Sequence, residues 1–145
     1  MITHFTGDYK WLSNFYPSKV RWQDHYYPSV EHAFQAAKWD GVPEEQENIR
    51  LYCTAAQAKL AGRRAPISQR WNARRDGVMM ILVTRKFATH PALAAKLLAT
   101  GDQEIQEGNY WNDTYWGVCK GVGLNRLGKL LMTIRTELRH SWTTA

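Results

Sequence analysis

The stretch Tyr27-Pro28-Ser29-Val30-Glu31-His32-Ala33-Phe34-Gln35-Ala36-Ala37-Lys38 leaves the backbone few choices. Ser29, directly after Pro28, is an N-cap residue whose hydroxyl can accept a bond from a first-turn N–H, so a helix is predicted to start at Val30. At helical spacing Val30, Ala33, Phe34 and Ala37 form an apolar stripe, and Glu31, Gln35 and Lys38 fall at i, i+4 and i+7 on the adjoining face. Two readings of that polar face stand side by side. In one it is the rim of a pocket, with a carboxylate, an amide and an ammonium in a row. In the other it is a solvated face, where Glu31 complements the helix dipole and each side-chain pair contributes about 0.2–0.5 kcal/mol.

The rest of the chain supplies what this helix must pack against. Val20–Trp22 and His25–Tyr27 flank the polar pair Gln23-Asp24 and predict a hairpin, a small N-terminal β element. Residues 11–17 end at Pro17 and read as a loop, either a binding wall or ordinary turn chemistry. A short helix is predicted over 44–52. Thr54 and Gln57 then have the spacing of a capping box and open a helix that stops near Gly62. Residues 72–89 predict a long helix, Pro91 the first position of the next, and Asn125 the cap of a last helix with Leu127, Leu130, Leu131, Ile134 and Leu138 on its apolar face. Residues 104–107 read as a strand, and 108–117 as an aromatic, glycine-bounded loop. The fold class expected is α+β, a compact, mainly helical single domain spanning 1–145.

At 145 residues such a domain buries a core without disulfides or a structural metal. Cys53 and Cys119 lack CxxC spacing, which predicts free thiols in a reducing compartment. With no leader pattern and no membrane-length apolar run, the expectation is a cytoplasmic protein without a membrane partner; the sequence leaves its oligomeric state open. A formal net charge of +6 attracts phosphate, on a nucleotide or along a nucleic acid. Seven Trp and seven Tyr offer rings on which a base can stack.

No HExxH, zinc ribbon, EF-hand loop or zinc-deaminase signature occurs, and Gly117, Gly121 and Gly123 fit neither GxGxxG nor a P-loop, so neither a metal nor a cofactor is expected. Arg63, Arg64, Arg70, Arg74 and Arg75 crowd around Trp71, either as a phosphate clamp beside a base-facing indole or as a solvated surface over a buried one. Asp113 and Trp116, three apart, either share the mouth of a site or form an Asx-turn over a buried ring. Carboxylates at Glu31, Asp113 and Glu107, large aromatics and excess arginine together suit cleavage of a glycosidic bond, whose transition state has oxocarbenium character that a carboxylate stabilises. On composition this is one option among several.

Ser13-Asn14-Phe15, the 27–38 stretch, Trp71 followed by Val78-Met79, Lys86-Phe87, residues 98–102, Asp113 with Trp116-Gly117, and residues 123–132 together resemble the NADAR family, in order and nearly end to end. The resemblance implies a mainly helical α+β fold and an N-glycosidase that cuts the ribose C1′–N bond of a phosphorylated ribosylated base. It implies two substrate classes: phosphorylated ribosylaminopyrimidine intermediates of riboflavin synthesis, and ADP-ribose on guanine in nucleic acid or nucleotides. It also implies functional roles for Glu31 and Asp113 as catalytic carboxylates and for Trp71 and Trp116 as walls for base and ribose. Lys38, Asn14, Phe15, Gln35 and Asn125 match recurring positions and are expected around the pocket. A basic surface that can reach nucleic acid favours ADP-ribosylated guanine. A non-catalytic ADP-ribose or NAD binding module is the alternative of another class. The run Asn109-Tyr110-Trp111-Asn112 departs from the pattern and bears on which base is accepted.

Overall fold

Three of the predicted helix starts are built as the residues dictate. In a computed structural model, which describes residues 1–144 and side chains through Ser141, the Ser29 hydroxyl accepts the His32 N–H and the helix runs Val30–Lys38 (α1). Ala145, the last residue of the expected domain span, lies outside the described residues. Thr54 and Gln57 close a reciprocal capping box, and Pro91 opens its helix. Each cap of this kind stabilises its helix by about 1 kcal/mol. Among the described residues the fold is α+β and mainly helical. It comprises two contact-dense units, Asn14–Thr89 and Met1–Ser13 with the segment from His90 onward.

In the unit Asn14–Thr89, strands β1 (Val20–Trp22) and β2 (His25–Tyr27) form the predicted antiparallel hairpin, with Val20 opposite Tyr27. Gln23 takes a left-handed φ of 53° at its turn. Helices α2 (Pro43–Leu51), α3 (Ala55–Gly62) and α4 (Gln69–Thr89) follow, and α1 packs against all three and against the hairpin. The solvated-face reading of α1 therefore fails: every residue from Val30 to Ala37 is buried, Glu31, His32 and Gln35 included. Small residues make this possible. Ala33, Ala36 and Ala37 of α1 and Ala55, Ala58 and Ala61 of α3 are buried and let the two helices approach closely. Helix α4 starts three residues ahead of the predicted 72–89, because Ser68 Oγ accepts the Trp71 N–H and the Ser68 carbonyl accepts the Asn72 N–H.

In the other unit, Trp11 and Leu12, the start of the predicted 11–17 loop, are helical. A 3₁₀ helix over Gly7–Leu12 takes in Trp11 and Leu12 and buries both, closed by the Trp11 indole N–H donating to the Asp8 carbonyl at 2.9 Å. Helix α5 (Pro91–Ala99) packs on the last helix, α6 (Arg126–Thr144). Leu127, Leu131 and Ile134 of α6 are buried, while Leu130 and Leu138 are half-buried at the edge of the stripe. From α6, Arg135 donates to Thr100 and the Gln103 carbonyl, and Arg139 to Asp102 and the Gly101 carbonyl, tying down the turn after α5. The predicted strand over 104–107 is reduced to a single bridge between Ile105 and Ile2. The strands instead are β3 (Gly108–Asn109) and β4 (Val118–Cys119), a short parallel pair.

Candidate functional site

Glu31 is the buried carboxylate of the unit Asn14–Thr89, with 7% of its surface exposed. Burying an ionised carboxylate costs several kcal/mol unless it is paired and hydrogen-bonded. Here the Gln35 side-chain amide, one helical turn on, donates to Glu31 Oε1 at 2.7 Å. The Gln35 amide lies against Gly62 of α3, where an added Cβ would come within 1.7 Å of Gln35 Oε1, so a side chain there would push the amide aside. The main chain also holds Glu31, whose N–H donates to the Asn14 carbonyl at 3.0 Å and so fastens Asn14 to the first turn of α1. The Asn14 side chain is buried and donates to Met79 Sδ.

His32, beside Glu31, is a structural pin. Ser29 Oγ accepts the His32 N–H at 3.1 Å and donates to Nδ1 at 2.6 Å, which makes Nε2 the protonated nitrogen, donating to the Tyr52 carbonyl at 3.0 Å. Burial pushes the imidazole below its ordinary pKa, against the weaker upward pull of the Tyr52 bond, and favours the neutral form this network needs.

Lys38 closes the polar row. Its ammonium is 5.8 Å from the centre of the Phe34 ring, and Phe34 meets Trp71 at 5.2 Å between ring centres. Burial holds Lys38 below its usual pKa; Glu31 opposes that shift, and Lys59, Arg63 and Arg75 add to it. A local excess of positive charge thus surrounds one carboxylate. Lys59 stands 5.7 Å from the centre of the Phe15 ring, which is exposed. Beyond Lys38 opens a cleft of about 310 Å³, lined among others by Lys38, Trp39, Asp40, Arg70, Trp71 and Arg74. The structure therefore brings Asn14, Phe15, Glu31, Gln35, Lys38 and Trp71 around α1. Sequence reasoning missed Gly62, His32 and Asp40. The one signal pointing to Gly62 was its place at the end of α3, where a helix-stop reading accounted for it fully.

The unit that contains α6 carries Asp113, Trp116 and Asn125. Asp113 Oδ1 accepts the N–H groups of Tyr115 and Trp116 at 3.1 and 2.9 Å, and its main chain exchanges two bonds with the Asn109 side chain. This is the Asx-turn reading. Trp116 is half-buried and packs edge-on against Tyr115, with the Arg126 guanidinium 4.7 Å above the Tyr115 ring. Asn125, with a left-handed φ of 51°, does not cap α6 with its side chain as predicted. Its amide donates to the Ile105 carbonyl and accepts the Glu107 N–H, while the first amides of α6, on Arg126 and Leu127, go to the carbonyls of Tyr115 and Trp116.

Among the described residues no group of three or more His, Cys, Asp or Glu side chains is placed to hold a metal ion, and no helix is long and apolar enough to cross a membrane.

Residues 3–139 match the NADAR domain. The chain is 40% identical over 131 residues to a riboflavin biosynthesis protein of Vibrio vulnificus, covering 88% of this chain and 35% of that protein, so it spans about a third of that relative's length. It is 36% identical over 137 residues to an N-glycosidase of Nostoc punctiforme, with 91% and 87% covered. It is 35% identical over 135 residues to the N-glycosidase YbiA of Escherichia coli, with 92% and 84% covered. The NMR structure of E. coli YbiA superposes with a TM-score of 0.85 at 32% identity, covering 100% of this chain and 90% of that one.

Proposed function

Since the chain belongs to the NADAR family, we propose that it is an N-glycosidase that hydrolyses the ribose C1′–N bond of a phosphorylated ribosylated base. The observation that carries this reading is Glu31, a buried carboxylate fixed by Gln35 next to a half-buried ammonium and a cleft walled by Trp71. As the C1′–N bond breaks, positive charge develops on the sugar, and a carboxylate held in a dry environment stabilises it or takes the proton of the attacking water. The water oxygen bonds to C1′ and a proton passes to the leaving base nitrogen. Asp113 is proposed as the second carboxylate on residue chemistry alone.

Two substrate classes follow. ADP-ribose attached to guanine is favoured by the basic side chains around α1 and at the start of α4. Phosphorylated ribosylaminopyrimidines are favoured by the name of the Vibrio relative. Incubating the protein and Glu31→Gln with each substrate and measuring released base by chromatography decides between them. Wild type is expected to release base and the variant to be slower by about 10³-fold, within the range for loss of a general acid or base. Tight binding of nucleotide with no base released from either class would replace the enzyme by a binding module.

A further inference from the structure

The cleft beyond Lys38 contains an ion-pair arrangement that the glycosidic chemistry leaves unused. Arg74 donates to Asp40 Oδ2 at 2.9 Å, and Arg70 approaches the same oxygen at 3.8 Å. All three side chains line the cleft with Lys38 and Trp71. Lys38 lies at the other side of the balance. Its ammonium leans over Phe34, is half-buried, and has no hydrogen-bond or ion-pair partner among the described residues. Three cations and one carboxylate line the space, leaving two positive charges in excess. The first turn of α4, with Ser68, Arg70 and Trp71 at the cleft, adds the positive end of a 21-residue helix. Burial lowers the Lys38 pKa, Glu31 pulls it back up, and Lys59, Arg63 and Arg75 lower it further, so Lys38 stands among more cations than anions.

We infer that this cleft is the phosphoryl subsite of the substrate, in which Lys38, Arg70 and Arg74 bind the phosphate oxygens and Asp40 is the resident counter-ion that the phosphate displaces. The inference rests on the glycosidase reading for its substrate and on the cleft alone for its anion. Asp40 keeps the Arg74 guanidinium preorganised, with the exposed Arg70 alongside, and it sets a threshold: only an anion with more charge, or more acceptor oxygens, than one carboxylate replaces it. Glu31 and Lys38 lie two turns apart on α1, roughly 10 Å along the axis, with Lys38 leaning back toward Glu31. A substrate with its glycosidic bond at Glu31 thus extends its phosphate toward the cleft.

Calorimetric titration of the full chain with inorganic pyrophosphate tests the subsite without turnover. Arg74→Ala is expected to weaken binding by about 10–100-fold, the loss of one charge-assisted contact, and Arg74→Lys to recover part of it. Asp40→Asn is expected to tighten binding several-fold. In steady-state assays Arg74→Ala raises KM for phosphorylated substrates by the same factor with kcat within about twofold, and has no effect on substrates stripped of phosphate. Tighter binding of pyrophosphate than of inorganic phosphate assigns the subsite to a diphosphate such as that of ADP-ribose; equal binding assigns it to a monophosphate. Unchanged pyrophosphate binding in both Arg74→Ala and Asp40→Asn overturns the inference, as does an equal loss on phosphorylated and stripped substrates. The expected binding pattern without base release leaves the subsite standing and sinks the glycosidase reading. Base release with a KM indifferent to both variants does the reverse.

Discussion

Glu31 and Asp113 are both carboxylates that the chain hydrogen-bonds, yet the protein holds them in opposite ways. Glu31 is gripped from outside its own turn: Gln35, packed against Gly62, donates to it, and Asn14 takes its main-chain N–H. Asp113 is gripped from within, one oxygen accepting the amides of the two aromatic residues that follow. The first arrangement buries a carboxylate and gives it a side-chain donor from the next turn. The second gives half a carboxylate to shaping a loop.

The contrast is easiest to break at Glu31. Glu31→Gln should lower base release by about 10³-fold with an unchanged unfolding midpoint, as expected of a group kept for chemistry. A large loss of stability with modest loss of rate would mean that Glu31 is structural after all. Gly62→Ala probes the same carboxylate indirectly, since its methyl collides with Gln35. It should cost about 1–3 kcal/mol in urea unfolding and slow turnover as Glu31 loses its donor. At Asp113 the order of effects should invert. Asp113→Ala removes the acceptor of two amides and should destabilise by about 1–3 kcal/mol, whereas Asp113→Asn keeps an accepting oxygen and should fold normally. Turnover of Asp113→Asn then reads the charge alone. A loss as large as that of Glu31→Gln would erase the distinction between the two.

The smallest effect concerns Lys86 of α4, which is buried near the Tyr16 and Phe87 rings and whose pKa burial lowers to about 7. The unfolded lysine keeps its ordinary, higher pKa, so between pH 7 and about 10 the unfolded chain binds more protons and stability rises with pH. Below pH 7 both states are charged and the penalty of burial is fully present. Lys86→Met should flatten that slope, worth about 1 kcal/mol per pH unit, in denaturant midpoints measured at pH 7 and pH 9.

Helices announced themselves in the residues because their signals are local. Ser29, Thr54 with Gln57, and Pro91 each act within a few positions of the end they mark. The burial of Glu31 and Gln35 was not legible, because it depends on how closely α3 approaches α1, and that closeness lies in alanines and a glycine that also read as ordinary helix formers and a stop. Asn125 misled for the same reason. It stands where a cap belongs, yet its amide bridges Ile105 and Glu107, residues far back in the chain. The family resemblance named Glu31, but that it is a buried acid held by a clamped amide comes from tertiary packing.

The loop between β3 and β4 has a consequence of its own. Its ends are fastened, at the entry by Gly108 and Asn109 and at the exit by Val118, whose N–H meets the Glu107 carbonyl, and by Gly117, which has no room for a side chain beside Glu107. Between these moorings Tyr110 is 84% exposed and Trp111 56%. The tip is thus moored at both ends while its two large rings face outward, the Tyr110 ring stacked on His4 at 5.7 Å between ring centres.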